Sequence, residues 1–182
     1  MNIFILDRDP VKAAQMQCDK HIVKMPLESA QMLSTAHRML DGELHYELST
    51  KGRKVKRYRL PDDREDKLYK AVHFNHPCTA WTMLSNNNYN WHFVHFQALS
   101  EEFKYRFGKD HSSWTDLNEI LSMPPRNIPI GYKTQPPLAM GSNPECMFED
   151  VVKSYRAFYQ TKQKRFTMSW RSRPVPDWFQ FI

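Results

Sequence analysis

The feature that most constrains this fold is a long helix-compatible stretch near the start of the chain, between Asp9-Pro10 and Asp41-Gly42. Asp9 suits the N-cap of a helix and proline suits its first position, whereas a glycine after the last turn stops a helix. Pro26 lies inside the stretch and should kink this helix or divide it in two, because proline lacks a backbone N–H and crowds the preceding turn. The apolar run at residues 3–6 predicts either a buried strand or an extended segment leading into the core.

Helical signals recur later in the chain. Asn75-His76-Pro77 predicts a second long helix that ends at Gly108, and Asn86-Asn87-Asn88 within it is poor helix material, so tertiary contacts must compensate there or the helix breaks. A last helix is predicted over about residues 148–166, after an irregular segment at residues 122–147 that holds six of the twelve prolines. The chain has 182 residues, of which 41% are hydrophobic. These signals predict a mainly α protein: one compact helical domain, residues 1–182, with long irregular loops.

The charge of the chain predicts an anionic partner. The formal net charge is +6 and the sequence pI is about 9.2, a balance that favours nucleic acid, although a basic protein without a polyanionic partner is the alternative. Six of the nine residues from Lys51 to Arg59 are Lys or Arg, so we interpret residues 43–70 as a basic insertion that forms an exposed loop or hairpin. The candidate DNA ligands in this insertion are Lys54, Lys56 and Arg57.

The carboxyl-terminal third of the chain is also basic. Between Lys153 and Arg173 there are seven Lys or Arg residues and no acid, and an aromatic and basic arm covers about residues 167–182. Cations of this kind neutralise phosphates and exposed rings stack on bases, so Lys162, Arg165 and Arg171 are candidate DNA ligands. The alternative is that the rings fill the core and the cations form a solvated rim.

The cysteines and the apolar stretches predict where the protein works. Cys18, Cys78 and Cys146 are odd in number and far apart, unlike the disulfide framework of a small secreted domain. No stretch has the roughly 20 apolar residues of a membrane span. We therefore expect a cytoplasmic protein that is monomeric and does not bind a membrane.

The polar face of the first helix carries the candidate catalytic residues. Because successive helical residues turn by about 100°, five polar residues share this face: His21, Lys24, Glu28, Gln31 and Thr35. The other side, which we expect to face the core, carries five apolar residues: Val23, Leu27, Ala30, Leu33 and Leu40. A carboxylate beside cations stays ionised and can stabilise a developing positive charge or accept a proton. The alternative is an ordinary solvated face with a Lys–Glu pair four residues apart.

Three pairs of potential metal ligands are spaced three residues apart: His73 with His76, His92 with His95, and Cys18 with His21. On a helix this spacing can bind one metal ion, which leaves a metal-dependent nuclease as an alternative function. No pair belongs to a recognised zinc pattern and no Cys-x-x-Cys occurs, so we predict core or surface histidines and no metal.

Two segments resemble the bacteriophage pyrimidine-dimer DNA glycosylase family, also called endonuclease V. Asp19-Lys20-His21, followed by Glu28 seven positions after the histidine, resembles the first helix of that family. His76-Pro77, the long helix with Trp91, and Arg106-Phe107-Gly108 form a looser match to the central helix of bacterial relatives. The opening of the chain also resembles uncharacterised bacteriophage proteins. The resemblance implies an endonuclease V-like fold and a protein of the host cell cytoplasm.

The resemblance also implies base excision without a cofactor. In the family, the amino-terminal α-amine attacks sugar C1′ as the base leaves, and a glutamate stabilises the cationic sugar and assists the elimination that nicks the strand. Carried over, Glu28 is the acid/base, Met1 or, after its removal, Asn2 supplies the amine, and His21 positions the DNA or the glutamate. An α-amine is a suitable nucleophile because its ordinary pKa is near 8. The implied substrate is duplex DNA with a damaged or modified pyrimidine, and a base must leave the stack.

This chain departs from the family at the phosphate clamp. The family has arginines where this chain has Ile3, Leu27 and Gln31. Lys20, Lys24 and Arg8 replace them only in part, because lysine lacks the bidentate fork of arginine. Gln31 remains a candidate for substrate contact. The rival hypothesis is a non-catalytic nucleic-acid-binding module, which the distance between the first nitrogen and the Glu28 carboxylate can discriminate: about 3–6 Å favours the enzyme.

Overall fold

The fold is built from seven α-helices and one two-stranded hairpin, and the computed structural model describes residues 1–182. The helices are α1 (Pro10–Gln15), α2 (Asp19–Asp41), α3 (Arg64–Lys67), α4 (Pro77–Met83), α5 (Asn86–Phe107), α6 (Ser112–Ser122) and α7 (Val151–Gln160). Strands β1 (Glu43–Leu48) and β2 (Lys54–Arg59) pair antiparallel, and 3₁₀ turns cover Pro144–Cys146 and Thr161–Lys164. The prediction of a mainly α fold is confirmed. None of the helices combines the length and the apolar character needed to cross a bilayer.

The first helical stretch is divided at residues 16–18. Asp9 caps α1 through its side chain, as predicted, but the predicted division at Pro26 is wrong, because α2 runs unbroken through that proline. The division is caused by the buried guanidinium of Arg106, which donates hydrogen bonds to the carbonyl oxygens of Gln15 and Gln17, each at 2.9 Å. These carbonyls therefore have partners outside a helix, and the chain turns at the end of α1.

The second helical stretch divides beside its asparagines. α4 ends at Met83, and Ser85 caps α5 by accepting a hydrogen bond from the Asn88 backbone at 3.1 Å. The buried Asn88 side chain donates to the carbonyl oxygen of Trp81 at 2.8 Å, which joins the two helices. Gly108 ends α5 with φ of 73°, a conformation that glycine adopts without steric cost.

Three other expectations differ from the structure. α6 has no counterpart among the predicted helices. The last helix is shorter than predicted, since α7 begins after its Asp150 cap and passes into a 3₁₀ turn at Thr161. Residues 3–6 are buried but form neither a strand nor a fully extended segment, because no neighbouring strand pairs with them and the chain turns at Phe4, whose φ is 55°. The irregular segment after α6 is confirmed.

The orientation of α2 differs from the predicted one. Val23 and Leu27 are 49% and 40% exposed, whereas His21, Glu28 and Thr35 are buried. The amino-terminal segment and the segments after α6 pack against the polar side of the helix and cover it. Lys24 on the same face is exposed, and Ala30 and Leu33 on the predicted core side are fully buried. The predicted solvent face is therefore covered only in part, and Glu28 lies in the covered part.

The basic insertion is a hairpin anchored to the end of α2. The Arg38 side chain, 4% exposed, donates to the carbonyl oxygens of Tyr58 at 3.1 Å and Leu68 at 2.8 Å. At the junction with β1, a Cβ on Gly42 would lie 2.5 Å from the carbonyl oxygen of Arg38 and 2.9 Å from that of Arg59. Only glycine fits this close approach, and the hairpin is held firmly against the helix.

Candidate functional site

The amino terminus is fixed in place by the Asn2 side chain. Asn2 Nδ2 donates to the carbonyl oxygen of Ala139 at 2.9 Å, and Asn2 Oδ1 accepts from the backbone N–H groups of Ile3 and Phe4 at 2.8 and 3.1 Å. Phe4 has φ of 55°, a conformation that costs a non-glycine residue about 1–3 kcal/mol. The chain is therefore turned sharply at its first residues and held against the fold.

This turn brings the first nitrogens of the chain to Glu28. The Glu28 carboxylate is buried, and its Oε2 atom lies 3.7 Å from the Met1 α-amine and 3.2 Å from the Asn2 backbone nitrogen. Its other oxygen, Oε1, is 2.7 Å from Lys24 Nζ. The Met1 side chain is only 3% exposed although the residue as a whole is half-buried. The exposed part of Met1 is thus its main chain, which carries the amine.

Glu28 and the amine lie in a cleft of about 410 Å³. Glu28 is the only carboxylate among the twelve residues that line it. The cations of the cleft are Lys24, Lys162 and Arg165, in addition to the terminal amine. Its aromatic residues are Phe4, His21, Phe158 and Phe166. The cleft therefore combines the terminal α-amine, one carboxylate, several cationic side chains and ring surfaces.

His21 lines the cleft without contacting Glu28. Its Nδ1 atom is 2.6 Å from the Tyr159 hydroxyl, and its ring stacks on Phe4 with centroids 4.7 Å apart. Burial, and then the positive charges of Lys162 and Lys24, lower the pKa of His21 to about 3. The neutral ring supports Phe4 and hence the turn that delivers the amine, whereas no hydrogen bond places it on the glutamate.

Lys162 supplies a second amine to the cleft. Its side chain comes from the 3₁₀ turn after α7, the residue is 9% exposed, and Nζ lies 3.5 Å from the centre of the Phe158 ring. Burial, and then the charge of Arg165, lower the pKa of Lys162 to about 8. This lysine can therefore lose its proton at mildly alkaline pH.

The other predicted DNA ligands lie either beside the cleft or away from it. Lys20 lies beside the cleft, with Nζ 4.6 Å from the centre of the Phe166 ring. Gln31 is half-buried one turn after Glu28 and does not line the cleft. Arg8 lines a separate cavity of about 540 Å³ and pairs with Asp150 at 3.2 Å, so it is not part of a clamp around Glu28.

Arg171 and the hairpin residues are also outside the cleft. The Arg171 guanidinium lies 5.8 Å from the centre of the Phe107 ring, at the end of α5. Lys54 and Lys56 are on one side of β2, whereas Arg57 is on the other and pairs with Glu47 at 2.6 Å. The predicted ligands thus form separate surfaces around the molecule.

The histidine pairs do not form a metal-binding cluster. No group of three His, Cys, Asp or Glu side chains has an arrangement that could hold a metal ion. His92 Nδ1 is 2.8 Å from the Thr82 hydroxyl, and His95 Nδ1 is 2.8 Å from the carbonyl oxygen of Pro10. Both histidines are fully buried and bind protein groups, as the predicted core histidines do.

Sequence reasoning missed the neighbourhood of His76 and the rings of the cleft. Burial, and then the charge of the terminal amine, lower the pKa of His76, and three residues later the Thr79 hydroxyl lies 4.0 Å from Met1 Sδ. His76 was assigned to the start of a helix and to a potential metal pair with His73, Phe166 to the aromatic and basic carboxyl-terminal third, and Phe4 to none of the predicted sites. No local pattern in the sequence indicates that these residues meet near Met1 and Glu28, because the contacts join separate segments of the chain.

A comparison of the chain with protein-family models, with curated proteins and with solved structures found no match. The resemblance to the endonuclease V family therefore stays a prediction that rests on the quoted motifs.

Proposed function

We propose that this protein is a DNA glycosylase and abasic-site lyase that acts on damaged or modified pyrimidines through an imine with its amino-terminal amine. The observation that carries the proposal is the 3.7 Å distance between the Met1 α-amine and the Glu28 carboxylate, in a cleft whose other charged side chains are cations. A nucleophile and an acid/base must both reach one sugar, and this spacing permits it. We expect the protein to act as a monomer in the cytoplasm.

The proposed reaction has two stages. In the first, the amine bonds to sugar C1′ as the bond to the base breaks; the base leaves with the electron pair and takes up a proton, and the sugar ring opens to an imine. In the second, Glu28 takes a proton from C2′, and the electrons of that bond expel the 3′ phosphate by β-elimination. Water then hydrolyses the imine and restores the amine.

The remaining groups of the cleft fit this substrate. The anionic carboxylate stabilises the positive charge that develops on the sugar. Lys24, Lys162 and Arg165 are positioned to neutralise the phosphates that flank it. The site does not depend on the processing of Met1, because the Asn2 nitrogen, which becomes the terminal amine if Met1 is removed, is 3.2 Å from Glu28.

Borohydride trapping on duplex DNA with one abasic site tests the proposal. Borohydride reduces the imine to a stable amine, and we expect a covalent adduct on the peptide of residues 1–8. Glu28→Gln should lower the rate of strand cleavage by about 100-fold or more, whereas the exposed Glu101→Gln on α5 should leave it unchanged. The proposal is refuted if the wild-type protein gives no adduct, or if the adduct maps to Lys162.

A non-catalytic DNA-binding protein is the second candidate. The observation that favours it is the 2.7 Å pair between Lys24 and Glu28, four residues apart, which is an ordinary stabilising feature of helices. Glu28 would then only hold the amino terminus in place. This candidate predicts that Glu28→Gln lowers thermal stability and leaves DNA affinity unchanged. It also predicts that the wild-type protein does not cleave abasic DNA.

A further inference from the structure

The β-hairpin has two chemically different faces. Residues directly opposite in an antiparallel ladder share a face, and the pairing of Leu44 with Tyr58 defines one of them. We call this side the hairpin face; its six members are Leu44, Tyr46, Leu48, Lys54, Lys56 and Tyr58. The opposite side carries the pair of Glu47 with Arg57, and it adjoins the segment around Lys70, whose Nζ lies 3.8 Å from Glu47.

The hairpin face is exposed and has no acidic residue. Leu44, Tyr46 and Leu48 are 50%, 55% and 73% exposed. Lys54 Nζ lies 4.4 Å from the centre of the Tyr46 ring, and Lys56 Nζ lies 5.2 Å from that of Tyr58. Cations held beside exposed rings suit a partner that offers both phosphates and flat or apolar surfaces, which is the chemistry of nucleic acid.

The hairpin face is continuous with the cleft. The Phe74 ring packs on Tyr58, with centroids 5.7 Å apart, and Lys56 Nζ lies 5.7 Å from the centre of the Phe74 ring. Two residues later, His76 caps α4, and the Thr79 hydroxyl in that helix lies 4.0 Å from Met1 Sδ. The same segment is bound to the polar side of α2, because Val72 donates to the Thr35 hydroxyl at 3.1 Å. One surface thus runs from the amine, past His76 and Phe74, to the hairpin.

The length of α2 sets the distance between the two sites. Glu28 and the end of the helix at Asp41 are separated by about 20 Å at 1.5 Å per residue, and this length corresponds to about six base pairs at 3.4 Å each. Each strand of the hairpin has six residues and is therefore about 20 Å long. A duplex whose reacting nucleotide lies in the cleft can therefore reach the hairpin with its flanking backbone.

We propose that the hairpin face is a second DNA-binding surface, which holds the duplex backbone about six or more base pairs from the reacting nucleotide. Lys54 and Lys56 contact phosphates, and Tyr46 and Leu48 contact the sugars beside them. The inference rests on the proposed DNA substrate. A lipid surface is the other partner that exposed leucines suit, but the turn at residues 49–53 consists of polar, charged and glycine residues, which do not enter a bilayer.

Equilibrium binding to duplexes of two lengths tests this surface. The duplexes carry a tetrahydrofuran abasic analogue, which cannot form an imine, with about 4 or about 12 flanking base pairs on each side. On the longer duplex we expect K54Q/K56Q to weaken binding by about tenfold or more, and to lower the slope of log affinity against log salt by about 2. On the shorter duplex the variant should bind as the wild type does.

The matched control removes the same charge from the opposite side of the same strand. R57Q/R59Q should bind the longer duplex within about twofold of the wild type, because a phosphate at the hairpin face does not meet these side chains. Tyr46→Ala should weaken binding on the longer duplex only. The inference is overturned if both double variants lose affinity equally, if neither does, or if K54Q/K56Q loses binding to phosphatidylserine vesicles and not to DNA.

The binding test of the hairpin face can succeed or fail independently of the trapping test of the proposed function. Imine trapping is measured on abasic DNA with the shorter flanks, where the hairpin has no DNA to contact. If the wild type gives no adduct but the length dependence is found, the lyase proposal fails and the DNA-binding surface stands. If the adduct forms but the length dependence is absent, only the hairpin inference fails.

Discussion

An extension of two residues before Met1 should abolish imine formation without unfolding the protein. The extension converts the Met1 nitrogen into an amide, which is not a nucleophile. The new amine is displaced by up to about 7 Å, since a residue spans at most about 3.5 Å, whereas the Met1 nitrogen lies 3.7 Å from Glu28 Oε2. Misplacement by about 1 Å can cost 100-fold in rate, so we expect trapping to fall by at least that factor.

The structure also predicts that the extension is tolerated. The main-chain end of Met1 is exposed, so added residues have a route into solvent. Glu28 keeps two partners, Lys24 and the Asn2 N–H. We therefore expect the free energy of unfolding to change by only about 1 kcal/mol, which for a chain of this size shifts the melting temperature by about 3 °C.

The assay is the rate of borohydride-trapped adduct on abasic duplex DNA. Two controls are available: the same two residues added after the exposed Ile182 should have no effect, and a protease site in the extension, cut immediately before Met1, should restore the rate. Trapping at the wild-type rate by the uncut protein would refute the assignment of the amine. Loss of folding in the uncut protein would refute the reading of Met1 as open to solvent.

Three further predictions concern stability and DNA affinity. Arg106→Met breaks a buried ion pair with Glu102 and removes the donor to the carbonyl oxygens of Gln15 and Gln17, so urea unfolding should show a loss of about 3–5 kcal/mol; a loss below about 1 kcal/mol would contradict the role given to this residue. Burial lowers the pKa of four histidines, to about 3 for His21 and His92 and to about 4 for His37 and His95. From pH 7 to pH 5 the unfolded chain takes up protons on these residues and the folded chain does not, so the free energy of unfolding should fall by up to about 2 kcal/mol for each of them. A free energy of unfolding that does not change over this pH range would contradict the lowered pKa values. DNA affinity should fall between about pH 7 and pH 9, because Lys162, with a pKa of about 8, loses its charge in this range. The affinity of Lys162→Gln should not show this fall. An equal fall in both proteins would mean that another group causes the pH dependence.

Short-range signals predicted several parts of the fold correctly. Asp9 caps α1, Gly108 ends α5 in the left-handed region, and the basic insertion forms a hairpin. Each of these features depends on a few neighbouring residues. Helical periodicity also pointed to Glu28, whereas the first nitrogens of the chain entered only through a resemblance to a family.

The errors arose where distant groups compete for the backbone. Arg106 takes the carbonyl groups that a continuous helix would have used, more than 85 residues earlier in the chain, so the division occurs at residues 16–18 and not at Pro26. The burial of Glu28 on the predicted solvent side of α2 was missed for a related reason. Periodicity separates polar from apolar residues but does not reveal that another segment covers the polar side.

The sequence by itself determined a basic, mainly α chain, its helix caps, its hairpin and the set of residue types available for chemistry, because these follow from composition and from contacts within a few residues. Only the tertiary structure decided that Met1 and Glu28, 27 positions apart, lie 3.7 Å from each other, and that Lys162 shares their cleft. The turn at Asn2 and Phe4 and the packing of α7 against α2 bring these groups together. Such contacts depend on the balance of hydrogen bonds and burial over the whole chain, which no local pattern contains.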